Sequence, residues 1–233
     1  MLKALIFDVD GTMADTERAH LAAFNFAFAQ EGLDWVWDEA LYTQLLEISG
    51  GKERIRHYWN QVNGDIKAMD GTALDDTIER LHLMKTAAYE QAVQDGAVEL
   101  RPGVLRLMQE AQADGLILAI ATTTSPVNIA ALLRRHLGDA WASQFMVIED
   151  ASTAPQKKPH PQVYLQTLQR LGLEAAACVA FEDSANGLRA ATGAGLRTVI
   201  TPNHFTAHHD FTGALRIVPD LSQVSLQVIK AWL

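Results

Sequence analysis

Cysteine is almost missing: the 233-residue chain has one, Cys178. A single thiol excludes an intramolecular disulfide framework. It sits in the apolar run Cys178-Val179-Ala180-Phe181, which marks it as a small buried hydrophobe rather than a reactive thiol. A lone reduced thiol also suits the cytoplasm, the expected location. Long hydrophobic runs are missing too. No stretch approaches the roughly 18–20 apolar residues of a membrane span, so no membrane partner is expected. The opening Met1-Leu2-Lys3-Ala4-Leu5-Ile6-Phe7 is too short for a signal peptide and has no small-residue cleavage site, and no Arg/Ser-rich transit segment is seen. Positive charge is scarce: 19 Lys+Arg against 28 Asp+Glu leave a net charge of −9. Such a chain would have to gather its few cations on one face to offset backbone phosphates, which weighs against nucleic acid as a partner. Internal repeats and low-complexity segments are absent, and a monomer is the default expectation.

What is present is a globular composition, 48% hydrophobic and 20% charged, well able to bury a core. Short apolar runs at residues 2–7, 116–121, 145–148, 178–181 and 198–201 are bounded by Asp, Thr, Gly or Pro. Runs of that kind suit strands buried on both faces of a parallel sheet. Helical patterns lie between them at 102–114, 161–171 and 184–194, closed by Gly115, Gly172 and Gly195, the last opened by Ser184 as N-cap. Alternation of this kind predicts an α/β fold with a doubly wound parallel sheet. Residues 16–99 break the rhythm. They carry only helical spacings (Leu21/Phe24/Phe28, Leu41/Leu45/Ile48, Ile55/Tyr58/Trp59/Val62, Ile78/Leu81/Met84/Ala88), punctuated by Gly32, Gly50-Gly51, Gly64 and Gly71. The expected organisation is a catalytic core of residues 1–15 and 100–233 with an inserted helical cap, residues 16–99.

Chemistry concentrates where the strands end. Phe7-Asp8-Val9-Asp10-Gly11-Thr12 places two carboxylates, i and i+2, at the carboxyl end of the first strand, where open α/β sheets bind ligands. Their like charges favour a bound cation or a raised pKa on one of them. Glu182-Asp183 repeats the pattern after residues 178–181, although it also reads as the N-terminal charge of the next helix. With adjacent strands, Asp8, Asp10 and Asp183 would converge on one oxygen-rich pocket suited to Mg²⁺ rather than zinc. Thr122, followed by Thr123 and Thr124, ends another strand, where hydroxyls and free N–H groups form an anion site or merely cap a helix. Lys157-Lys158-Pro159 reads either as a fixed point charge for a phosphate or as an exposed basic turn.

The ordered set Asp8-Val9-Asp10-Gly11-Thr12, Thr122, Lys158 and Glu182-Asp183 resembles the four motifs of the haloacid dehalogenase superfamily, and the likeness spans essentially the whole chain. The helical block resembles the cap of its phosphoglucomutase-like branch. Asp15-Thr16-Glu17-Arg18-Ala19-His20, Trp35-Val36-Trp37-Asp38, Gly50-Gly51-Lys52-Glu53-Arg54-Ile55, Ala121-Thr122-Thr123-Thr124-Ser125 and Lys157-Lys158-Pro159 look like those of the CbbY-like sugar-bisphosphate phosphatases. The resemblance implies an Mg²⁺-dependent phosphatase that turns xylulose 1,5-bisphosphate into xylulose 5-phosphate through an aspartyl-phosphate. It gives Asp8 as nucleophile and Asp10 as general acid and base. Mg²⁺ is held by Asp8, Asp183 and the Asp10 carbonyl, with Glu182 supporting through water. Thr122, Thr123 and Lys158 are expected on the phosphoryl oxygens, Glu17 and His20 on the sugar, and Lys52 with Arg54 at the distal phosphate. Two enzyme alternatives stay open, a β-phosphoglucomutase-like mutase and a phosphoglycolate phosphatase, beside a receiver-like Mg²⁺-binding domain that would lack the cap. His204, His208 and His209 read as a polar surface loop, and Trp35, Trp37, Trp59 and Trp141 as packing residues.

Overall fold

The computed structural model describes residues 1–62 and 72–233; two of the expected punctuating glycines, Gly64 and Gly71, lie outside the described residues. The apolar runs form strands β1 (Ala4–Phe7), β2 (Ile117–Ala121), β3 (Val147–Glu149), β4 (Cys178–Glu182) and β5 (Arg197–Ile200). With β6 (Arg216–Ile217) they make a six-stranded sheet in the order β3-β2-β1-β4-β5-β6, parallel throughout. This is a Rossmann-type order, with its switch point beside β1. The third strand starts two residues later than its apolar run suggests, because residues 141–144 form a 3₁₀ turn and Phe145 packs into the core beneath it. The two-residue β6 had no apolar signal to find, since both residues are exposed.

Each face of the sheet is covered, which is why the strands read as continuous hydrophobic runs. Leu5, Phe7, Leu118, Ile120, Val179 and Phe181 face one cluster, which takes in α5 (Val104–Ala113), α6 (Pro126–Leu137) and α9 (Leu226–Trp232). Ala4, Ile6, Ala119, Ala121, Cys178 and Ala180 face the other, against α7 (Gln162–Leu171) and α8 (Ala185–Gly193). Cys178 is therefore a buried thiol, as its setting implied. Ser184 caps α8 through the Gly187 amide at 3.1 Å. Gly187 itself is required by close packing, since a Cβ there would stand 1.9 Å from Glu182 Oε2.

Between β1 and α5 come α1 (Glu17–Gln30), α2 (Glu39–Leu45), α3 (Gly51–Val62) and α4 (Thr72–Gln94). They share a separate cluster of Phe24, Phe28, Trp37, Tyr42, Leu45, Ile55, Ile78 and Leu81. Trp35 and Trp37 pack by their edges against Phe28 and Tyr58. The block does not stand apart from the sheet, however. Ala19, Ala23, Tyr89 and Val93, from α1 and α4, belong to the sheet-side cluster, and Phe205, from the loop after β5, enters the helical one. The two connections between the halves pair at Ala14 and Leu100.

Candidate active site

Register brings the strand-end residues together. Phe7 stands opposite both Ile120 and Phe181, so Asp8 comes level with Ala121 and Glu182, and Thr122 and Asp183 follow one residue further at the carboxyl end of the sheet. Carboxylate oxygens of Asp8, Glu182 and Asp183 all lie within 4.8 Å of one another. Lys158 spends its three N–H bonds here, on Asp8 Oδ1 at 2.7 Å, Glu182 Oε1 at 2.6 Å and the Ala121 carbonyl at 3.0 Å. Expected on a phosphoryl oxygen, Lys158 lines the cavity and here bonds two carboxylates and a carbonyl, so an entering anion would share or replace one of these three contacts. The remaining Asp8 oxygen accepts from the Thr12 hydroxyl at 3.1 Å. Tyr164 donates its hydroxyl to Glu182 at 2.6 Å, and Asn203 its amide to Asp183 at 2.7 Å. Gly11, at φ 77, keeps that turn open: a Cβ would fall 2.3 Å from Asp183 Oδ2.

One ammonium against three buried carboxylates leaves an excess of negative charge. Burial alone would lower the Lys158 pKa, but Asp8 and Glu182 drive it up, so the cation stays charged. Glu182 still rises to about 7, through burial first, with Lys158 opposing and Asp8 adding like charge. Asp183 rises well above the carboxylate range because it is buried beside Asp8 and Glu182. A closely set group of hard oxygens with surplus negative charge fits a divalent cation such as Mg²⁺.

Asp10 does not join this cluster. The strand ends at Phe7, so alternation no longer governs Asp10, which bridges to Ala14 past the Gly11 turn. Its carboxylate faces the helices, 3.1 Å from His20 Nε2. Lys85 Nζ lies 2.9 Å from His20 Nδ1. An ammonium has no lone pair, so Lys85 donates and the imidazole proton sits on Nε2, facing Asp10. Burial would raise Asp10, but His20, Lys85 and Thr124 hold it well below the usual range. Burial, then Lys85, lowers His20, consistent with a neutral ring. Lys85 falls to about 8, through burial.

These groups open onto a cavity of about 520 Å³ lined from the sheet by Asp8, Asp10, Thr122, Thr123, Lys158 and Asp183, and from the helices by Glu17, His20, Lys52, Arg54 and Lys85. Thus all of the expected site residues except Glu182 line one space, and Glu182 lies beneath it as the anchor of Lys158. Lys52 and Arg54, both on α3, are tied down locally. Lys52 pairs with Glu79. Arg54 is buried, donating to the carbonyls of Leu45 and Ile48 and lying over the Tyr42 and Phe24 rings. Glu17 accepts from the Tyr42 hydroxyl at 2.7 Å.

Comparison with known proteins gives the family. The family of haloacid dehalogenase-like hydrolases matches residues 2–195. The plasmid-borne protein CbbY of Cupriavidus necator is 56% identical over 220 residues, 94% of this chain and 86% of that protein. The chain belongs to the CbbY family of haloacid dehalogenase-like hydrolases. CbbY from Rhodobacter sphaeroides, solved in complex with phosphate, superposes with a TM-score of 0.90 at 40% identity, covering 99% of this chain and 100% of that one. A mutant of the same protein, solved with xylulose 1,5-bisphosphate, gives 0.89 at 39% identity over 98% of this chain and 99% of that one. This CbbY family member is accordingly an enzyme, a phosphatase with a doubly wound core. Among its described residues, no helix is long and apolar enough to cross a membrane.

Several residues that hold this site together carry no motif. Lys85 lies 65 residues from His20 in a helix whose period announces only core and surface. Tyr42, Tyr164 and Asn203 are likewise visible only once folded. Buried Arg101 donates to the carbonyls of Gly11, Thr201, Pro202 and Pro219, tying the motif turn to two distant loops. In the polar loop, His204 and His208 are exposed, but His209 is tucked in. Ligand atoms of Glu47, His208 and His209 lie within 4.8 Å of one another. Because His209 Nδ1 accepts the Ala185 amide at 3.2 Å, its proton sits on Nε2, the atom facing Glu47, and that nitrogen has no lone pair for a metal.

Proposed function

We propose that this enzyme hydrolyses a sugar bisphosphate, xylulose 1,5-bisphosphate to xylulose 5-phosphate, with Mg²⁺ and through an aspartyl-phosphate, an acyl phosphate on Asp8. The reading rests chiefly on one observation: the Asp8 carboxylate is fixed between Lys158 and Thr12 at the cavity, and a second carboxylate, Asp10, held by His20, lines the same cavity. The bisphosphate complex of the related Rhodobacter sphaeroides CbbY mutant supports the substrate. The helices α1–α4 act as the cap over it.

Asp8, Asp183 and the Asp10 carbonyl would hold the metal, which when bound offsets the charge of the transferring phosphoryl group. Carboxylate and phosphate otherwise repel by roughly 4 kcal/mol per unit pair at ~4 Å and an effective dielectric near 20. An Asp8 oxygen attacks phosphorus as the ester bond breaks, and the sugar oxygen takes a proton from Asp10. Water then attacks the acyl phosphate, giving its proton back to Asp10 and releasing phosphate and free Asp8. Asp10 rests as a carboxylate, and an entering phosphate adds like charge beside it, raising its affinity for the proton it must donate. Thr122 and Thr123 meet the phosphoryl oxygens, and Glu17 and His20 the sugar hydroxyls.

The test is a panel of sugar phosphates with Mg²⁺. Stoichiometric phosphate and xylulose 5-phosphate from the bisphosphate, at a kcat/KM well above those for glucose phosphates and phosphoglycolate, is the expected result. A second sugar phosphate appearing without free phosphate would make the enzyme a mutase.

A further inference from the structure

The cations facing the cavity differ in how fully they are committed. Lys158 is shared by two carboxylates, Lys85 is bound to His20, Arg54 to two carbonyls, and Lys52 to Glu79. Lys157 is the exception. Half-buried and lining the same cavity, its Nζ reaches one backbone carbonyl, that of Ala151, at 3.2 Å, and among the described residues no carboxylate forms an ion pair with it. A partly buried ammonium without a counter-anion is disfavoured, and burial does lower its pKa. The charges that act on it most are Glu53, Asp150 and Lys52, not Asp8 or Glu182. Consecutive side chains thus diverge from one turn: Lys158 goes to the nucleophile, Lys157 to the part of the cavity facing the start of α3.

We propose that Lys157 is a specificity-determining residue whose ammonium receives the phosphate that is not transferred, the distal group of a bisphosphate. The assignment rests on the bisphosphate reading above and deepens it. It also shifts the main distal contact from Lys52, whose ammonium already has an acid partner, to a core residue beside Lys158. A phosphate dianion supplies the counter-charge that Lys157 lacks, and charge-assisted hydrogen bonds of this kind are the strong ones.

The test compares wild type, Lys157→Met, Lys157→Arg and Lys52→Met on xylulose 1,5-bisphosphate and on p-nitrophenyl phosphate, which has no distal phosphate, all with Mg²⁺. Lys157→Met is expected to raise KM for the bisphosphate about ten- to a hundredfold, the range for a lost hydrogen bond to a charged group, with a much smaller effect on kcat and on the monophosphate. Lys157→Arg should recover most of the loss. Thermal unfolding of each variant separates these effects from misfolding. As a second readout, bisphosphate bound to Asp8→Asn enzyme should protect Lys157, identified by mass spectrometry, from amine acetylation, whereas inorganic phosphate should not. Equal KM changes on both substrates, a bisphosphate effect confined to Lys52→Met, or unprotected Lys157 would overturn the assignment. If the wild type does not prefer the bisphosphate, the substrate reading fails first and the assignment with it. If it does and Lys157→Met keeps that preference, only the assignment falls.

Discussion

The two walls of the cavity are built on different principles. On the sheet side, Asp8, Glu182 and Asp183 are buried at the ends of paired strands, and buried Lys158 locks Asp8 to Glu182. On the helical side, Glu17, Tyr42 and Arg54 form one chain of contacts and Asp10, His20 and Lys85 another, the second reaching across from sheet to helix. The sheet wall is thus set by backbone pairing, whereas the helical wall exists only where α1 and α4 pack together against the sheet. Substitutions on the first should therefore act on chemistry or on charge balance in the core, and those on the second on the coupling between halves.

The largest effect is expected from Asp8→Asn, which removes the proposed nucleophile and keeps its shape. Phosphate release should fall by about 10⁴-fold or more, with the far-ultraviolet spectrum intact. Turnover near the wild-type rate would eliminate the covalent step. Next comes Lys158→Met, which leaves Asp8 and Glu182 facing each other without their shared cation. Breaking a buried pair in this way costs about 3–5 kcal/mol, readable in urea unfolding at pH 7, and adding Glu182→Gln should recover part of it. The pH dependence has a definite sign. Burial already pushes Glu182 up to about 7 from its usual 4.5, so between those values the folded state binds a proton that the unfolded state does not. The variant should gain stability as pH falls from 7 toward 5. A penalty independent of pH would mean that the acids are not what destabilises it.

This division also explains how much was legible in the sequence. The sheet wall was, because each of its acids ends a hydrophobic run and parallel pairing does the rest. Even there, alternation misplaced Asp10, since the strand had already ended at Phe7 and a turn sends its carboxylate toward His20. The helical wall was legible only as residues, not as partners. Glu17, His20, Lys52 and Arg54 do line the cavity. Yet nothing in helical periodicity links Lys52 to Glu79, Tyr42 to Glu17 or Lys85 to His20, because these pairings depend on which helices meet and at what height. Lys85 looked like any lysine in an amphipathic helix.

Lys85 gives the sharpest test of the helical wall. Burial lowers its pKa from the ordinary 10.5 to about 8. Over that interval the unfolded chain holds a proton that the folded one has released, so wild-type stability should rise with pH by up to about 3 kcal/mol, at roughly 1.4 kcal/mol per pH unit. Lys85→Met should lack this gain. The quantity to measure is the difference in unfolding free energy between the two proteins at pH 8 and pH 10, in which other titrating groups cancel. A difference that does not change with pH would show that Lys85 is not held in a dry, charge-disfavouring site, and the contrast between the walls would weaken.

The smallest effect belongs to a bond that joins the walls. Asn186, in the first turn of α8 just past Asp183, donates to the Glu47 carbonyl at 2.9 Å and to the Ser49 hydroxyl at 3.2 Å. Those acceptors lie directly before Gly50 and the start of α3, where the helical block lines the cavity. Asn186→Ala removes a largely buried amide whose net worth is about 1 kcal/mol. Because it touches neither the acid cluster nor His20, the loss should appear in KM, about a fivefold increase, with kcat nearly constant. Ser49→Ala should give part of that increase and add little in the double variant, since both substitutions cut one link. Additive effects would mean that Asn186 and Ser49 act separately, and a fall in kcat alone would place Asn186 with the chemistry of the sheet wall rather than with the fit between the two.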